Sequence, residues 1–120
     1  MQKKLLIVLL AGANGHENMA RALHALLYAL QAKAKDMIVE LIFDGAGTEW
    51  AAKLPKDEHL QKIYQQLFDR GVIKGVCAFC STAFHVEEEL KTIGSTFLDE
   101  DNGHPNIGAR IADGWEVLII

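Results

Sequence analysis

The chain reads as an α/β protein, a three-layer α/β/α sandwich around a mostly parallel five-stranded sheet. Three observations predict this. Short apolar runs of strand length alternate along the chain with segments whose apolar residues fall at helical spacing. The most apolar run is continuous rather than alternating, as in a strand covered on both faces. Finally, 120 residues, half of them apolar, suffice for one domain with one core, spanning residues 1–120.

Each element follows from its own residues. Leu5 to Leu10 is uniformly apolar and closes on the turn Gly12-Ala13-Asn14-Gly15. It is the first strand and, as the most apolar, is expected at the centre of the sheet. From His16 the period changes. Met19, Leu23, Leu26, Leu27 and Leu30 form the expected inner face of a helix, and Arg21, His24, Gln31 and Lys35 remain polar. Met37 to Phe43 is the second strand, closed by Asp44-Gly45-Ala46-Gly47. Thr48 is expected to cap a short helix through Leu54 that Pro55 helps to stop. Leu60, Ile63, Tyr64, Leu67 and Phe68 form an amphipathic stripe, with Gly71 as its stop. Val72 to Cys77 is the third strand. A helical stretch follows, with Glu87, Glu88 and Glu89 on its wet side and Gly94 at its end. Ser95 to Leu98 is a short fourth strand. After the loop from Asp99 to Gly103, Pro105 opens a helix with Ile107 and Ile111 facing inward. Trp115 to Ile120 is the last strand.

Charge and hydropathy narrow the function. A formal net charge of −4 lacks the basic stripe of a nucleic-acid surface. No apolar run reaches membrane-spanning length, and Leu5 to Ala11 is too short for a signal sequence and turns directly into glycines. The expected location is cytoplasmic. Cytosolic thiols stay reduced, so the chain's two cysteines, Cys77 and Cys80, point to reactive chemistry or to core packing rather than to a structural disulfide.

In an open α/β sheet, ligands and reactive groups collect at the carboxyl ends of the strands. That edge gathers Gly12 to Glu17, Asp44 to Gly47, Cys77 to Cys80 and Asp99 to His104. Cys77 and Cys80 sit where strand gives way to helix, and helical N–H groups there favour a thiolate. Gly12, Asn14, Gly15, His16, Asp44 and Gly45 are the candidate lining of a small-ligand pocket. Their glycines lack dinucleotide or phosphate-loop spacing, and no cofactor is expected. Cys77, Cys80, His85 and His104 are of zinc-ligand type, but no second close pair completes the usual spacing, and His104 belongs to another loop. The expectation is therefore no metal.

Over nearly its whole length the chain resembles the DsrE/DsrF-like family, small α/β proteins that include sulfurtransferase subunits of sulfur-relay systems. The likeness rests on the apolar first strand with its small turn and on Val76-Cys77-Ala78-Phe79-Cys80. It extends to Phe97-Leu98-Asp99-Glu100, Gly103-His104-Pro105 and the closing Gly114-Trp115-Glu116-Val117-Leu118-Ile119-Ile120. Where many relatives carry an Arg-Gly pair after the cysteines, this chain has Phe84-His85. The resemblance implies a homo-oligomer, a trimer or higher, with a persulfide carried on the cysteine after the third strand. That position falls on Cys77, and Cys80 matches a second cysteine found in many relatives. The expected function is a cytoplasmic sulfur carrier that accepts sulfane sulfur as a cysteine persulfide, with sulfur donor and acceptor proteins as partners. The alternative is an oligomeric small-ligand or partner-binding module without turnover.

Overall fold

The apolar runs become strands because aliphatic side chains on both sides of a pleated ribbon need cover on both sides. The computed structural model describes residues 2–120. The strands are β1 (Lys4–Leu9), β2 (Ile38–Phe43), β3 (Ile73–Cys77), β4 (Phe97–Leu98) and β5 (Glu116–Ile119). They form one sheet in the order β4-β3-β2-β1-β5, with every pairing parallel. The central strand is thus β2 and not the first strand. β1 lies between β2 and β5, and this interior place already buries it on both faces.

The helices are α1 (His16–Ala34), α2 (Thr48–Lys53), α3 (Gln61–Asp69), α4 (Ala78–Ala83), α5 (Glu87–Thr92) and α6 (Ile107–Ala112). From β1 to β4 the chain steps across the sheet in one direction. Right-handed crossovers therefore put α1 to α5 on one face. The connection from β4 to β5 runs back the other way and puts α6 on the opposite face. Alternation along β1 serves both layers. Leu5, Ile7 and Leu9 join Leu26, Leu41, Phe43, Trp50, Leu67 and Leu90 in the larger core. Leu6 and Val8 join Ile42 and Leu98 in the smaller one, against Ile107, Trp115 and Val117.

Several local expectations change. The buried face of α1 is Ala22, Ala25, Leu26, Ala29 and Ala32, while Met19 is exposed. Short alanine side chains let this helix lie close on the sheet, and the larger aliphatics flank the contact. Pro55 does not end the segment after α2. It occupies the first turn of a 3₁₀ helix, Leu54–Lys56, where its missing N–H costs nothing. Phe68 and Ile111 are exposed rather than inward.

The helical stretch after the cysteines is two helices. His85 takes φ 61, and the Val86 and His85 N–H groups donate to the Ser81 and Thr82 carbonyls, the Schellman closure of α4. His85 thus holds the left-handed backbone that glycine adopts most readily. Among the described residues, no helix is long and apolar enough to cross a membrane.

Candidate functional site

Crossover direction locates the site. The connection after β3 leaves toward the α1–α5 layer, and that after β4 leaves toward α6. The carboxyl ends of two such adjacent strands are where ligands collect in sheets of this type, and here the two connections meet again over Cys77. Cys77 ends β3 and pairs in register with Leu98 at the end of β4.

Cys77 is also the N-cap of α4. Its backbone is extended (φ −61, ψ 121), and its Sγ accepts the Cys80 N–H at 3.4 Å, as a serine or aspartate cap would. The Ser81 hydroxyl donates to the Cys77 carbonyl at 2.7 Å. This cap turns the Cys77 sulfur inward, with 0% of the residue exposed. Cys80, one turn on, is half-buried. Phe79, between them, is 59% exposed.

The loop after β4 supplies the other wall. Asp101 and His104 exchange two backbone hydrogen bonds of 2.8 and 3.0 Å around Asn102 and Gly103. Both central residues have positive φ, 51 and 88, the signs of a type I′ turn, and Asn-Gly is the preferred pair for one. The Phe79 N–H donates to the Gly103 carbonyl at 2.9 Å, which ties this turn to α4. His104 Nδ1 then lies 3.3 Å from Cys77 Sγ, with the Phe79 ring 4.9 Å from the imidazole. Cys77 Sγ also lies 3.8 Å from the Gly103 carbonyl oxygen. From the loop after β2, Asp44 brings Oδ1 to 3.6 Å from Cys80 Sγ while accepting the Gly45 N–H at 2.8 Å.

The two thiols therefore differ electrostatically. Burial pushes the Cys77 thiol up from an ordinary 9.0 to about 12, and the hydrogen bond from the Cys80 N–H offsets only part of this. Cys77 is a neutral thiol at neutral pH. Cys80 is only partly buried.

Of the remaining candidate residues, Asp44 joins the thiols. Gly45 (φ 53) supplies the tight turn after it and abuts Leu10. Gly12 is a packing glycine: its carbonyl accepts the Trp50 indole N–H at 2.8 Å, and a Cβ there would come 2.8 Å from Glu49 Oε1. Asn14, Gly15 and His16 are exposed at the start of α1. His85, exposed at the α4–α5 junction, stays out of the cluster that His104 joins. A cavity of about 300 Å³ lies elsewhere, between α3 and β3, lined by Tyr64, Phe68, Gly75 and Ile93. The approach of His104 was open to inference from the Asn102-Gly103 turn signal, which folds the loop back on itself. Nothing local in the sequence marks the clamp that anchors this loop. There Glu100 accepts two hydrogen bonds from Arg110, at 2.8 and 3.2 Å, and one from the Asn106 N–H at 2.8 Å.

Comparison with known proteins finds a relative of the chain and a solved structure of similar fold. An uncharacterized protein of Methanocaldococcus jannaschii, MJ0733, is 31% identical over 103 residues, which cover 84% of this chain and 81% of that protein. The chain belongs to the family of MJ0733. No family model matches the chain. A solved structure similar in fold is a conserved protein of unknown function from Bacteroides thetaiotaomicron, BT1422. It is 20% identical, with a TM-score of 0.62 over 96% of this chain and 94% of that one. This second likeness extends to the fold alone.

Proposed function

We propose that the protein is a sulfur carrier whose loading thiol is Cys80. One observation supports this above the others: a partly exposed cysteine stands next to a fully buried one at the carboxyl edge of the sheet, with the two sulfurs within 4.8 Å. The Cys80 thiolate attacks the outer sulfur of a donor persulfide. A sulfur–sulfur bond forms on Cys80, the donor's sulfur–sulfur bond breaks, and the donor leaves as a thiolate that takes up the proton Cys80 released. An acceptor thiolate then removes the outer sulfur by the same exchange. With no acceptor present, Cys77 attacks the inner sulfur, forms the Cys77–Cys80 disulfide and expels hydrosulfide. Burial thus reverses the roles that the family resemblance implies for the two cysteines, because a thiol raised to about 12 is a poor first nucleophile.

The test is intact-protein mass after incubation with glutathione persulfide. Wild type gains one sulfur atom, and Cys80→Ser gains none. Cys77→Ser gains it and keeps it longer, because the resolving thiol is gone. Loading on Cys80→Ser with none on Cys77→Ser would restore the opposite order. Wild type that never gains sulfur would end the proposal.

A further inference from the structure

Beyond sulfur transfer, we propose that Cys77, Cys80 and His104 form a zinc site with three protein ligands and one open position. Two thiolates and an imidazole are a known ligand set for zinc, and three protein ligands leave the fourth position to water or a small ligand.

The geometry carries the proposal. One ligand atom from each of the three residues lies within 4.8 Å of the other two. With Zn–S near 2.3 Å and Zn–N near 2.0–2.1 Å, tetrahedral angles put a sulfur and a nitrogen about 3.6 Å apart and two sulfurs about 3.8 Å apart. Cys77 Sγ and His104 Nδ1 are already 3.3 Å apart. The side chains come from two chain segments, each fixed by its own backbone. The α4 cap holds Cys77 and Cys80, and the type I′ turn holds His104. The ligand atoms are therefore arranged before any cation arrives.

Around them stand groups suited to a metal. The Cys80 N–H already donates to Cys77 Sγ, a bond that strengthens once the sulfur carries charge. Asp44 Oδ1, 3.6 Å from Cys80 Sγ, adds negative charge at the rim. The Phe79 ring covers one side of the imidazole. This site uses the same sulfurs as the proposed carrier but does not depend on sulfur transfer. Bound zinc would close both thiols to alkylation and to persulfides.

The test titrates the reduced, metal-free protein with Zn²⁺ against a chromophoric chelator, and in parallel with Co²⁺ read by absorption. Wild type is expected to bind one ion per chain and release protons as the thiols ionise. The cobalt form should show thiolate-to-cobalt charge-transfer bands. His104→Ala, which keeps both thiols, should bind more than about a hundredfold more weakly with its thermal midpoint nearly unchanged. Cys80→Ser should lose the charge-transfer intensity of one thiolate. Stoichiometric zinc should slow iodoacetamide labelling of Cys80 in wild type and not in His104→Ala. Equal affinity in wild type and His104→Ala would show a bare dithiol binder and overturn the site, as would a cobalt spectrum without thiolate bands. Sulfur loading is measured on metal-free protein by mass, so its failure and the failure of zinc binding are separate results.

Discussion

Cys77 and Cys80 share one helical turn, yet their surroundings set them apart. The sulfur of Cys77 caps a helix and is sealed beneath the turn that carries His104, whereas Cys80 stands half-open beside Asp44. Nucleophilicity of a thiol follows its access and its thiolate fraction. Brief iodoacetamide treatment of the folded, reduced, metal-free protein at neutral pH should therefore modify Cys80 at least about tenfold faster than Cys77. Peptide mass spectrometry reads the two sites separately, and the difference should vanish in denaturant. Equal rates in the folded protein would mean that the β4 loop does not seal Cys77. The spacing of the pair and its strand-end address are legible in the sequence. Their inequality is not, because the wall that buries Cys77 comes from Gly103 and His104, far along the chain. Ligand spacing along the chain names His104 but cannot bring it to the cysteines, because only this non-local contact does so.

At the scale of elements, the strands were legible wherever an apolar run met a turn, as at Leu5 to Leu10 and Met37 to Phe43. Strand order was not: continuous apolarity marks burial on both faces, which β1 has beside the centre, while the central β2 is interrupted by Glu40, the partner of Arg110. The α1 face was legible in part: Leu23, Leu26 and Leu30 reach the core, but most of its buried residues are alanines, weak in any hydropathy pattern. Two glycines show how far local signals carry. Gly71, with φ 74, ends α3 in a Schellman closure and has open space around the place of a Cβ. Gly47 has an ordinary helical φ of −61, but a Cβ there would meet the Leu9 carbonyl oxygen at 1.9 Å. A turn pattern reveals the first requirement, whereas only the fold reveals the second. Gly71→Ala should cost about 1 kcal/mol, the price of a left-handed alanine. Gly47→Ala should cost about 3 kcal/mol, because backbone of β1 must move. Urea denaturation of both variants checks the order, and a smaller loss for Gly47→Ala would mean that β1 and the turn after β2 are not held this close.

Across the whole molecule, the reversal of chain direction after β4 lays the β4 loop over the end of β3 and also leaves a single helix, α6, covering the far face. That helix is bound to the sheet by charge as well as by Ile107. Arg110 places its Nε 3.4 Å from a Glu40 carboxylate oxygen on β2 and grips Glu100 with both terminal nitrogens. The clamp joins the central strand, the last helix and the loop that carries His104. Hydrogen bonds from Arg110, and then from the Asn106 N–H, hold the Glu100 carboxyl below its ordinary 4.5. A carboxylate with a depressed folded-state pKa binds protons less readily than in the unfolded chain. Its contribution is thus present above about pH 4.5 and lost as pH falls through the folded value. The Glu100 side chain is 41% exposed, so solvent screening keeps the contribution below about 1 kcal/mol. At pH 7, Glu100→Gln should be less stable than wild type by a few tenths to about 1 kcal/mol. As pH falls below about 4.5 wild type should lose stability more steeply, and the two should converge once Glu100 has taken up its proton. Urea midpoints of both proteins as pH falls make the comparison. Parallel curves would assign the acid sensitivity to other carboxylates and leave the Glu100–Arg110 contact as a surface pair without energetic weight.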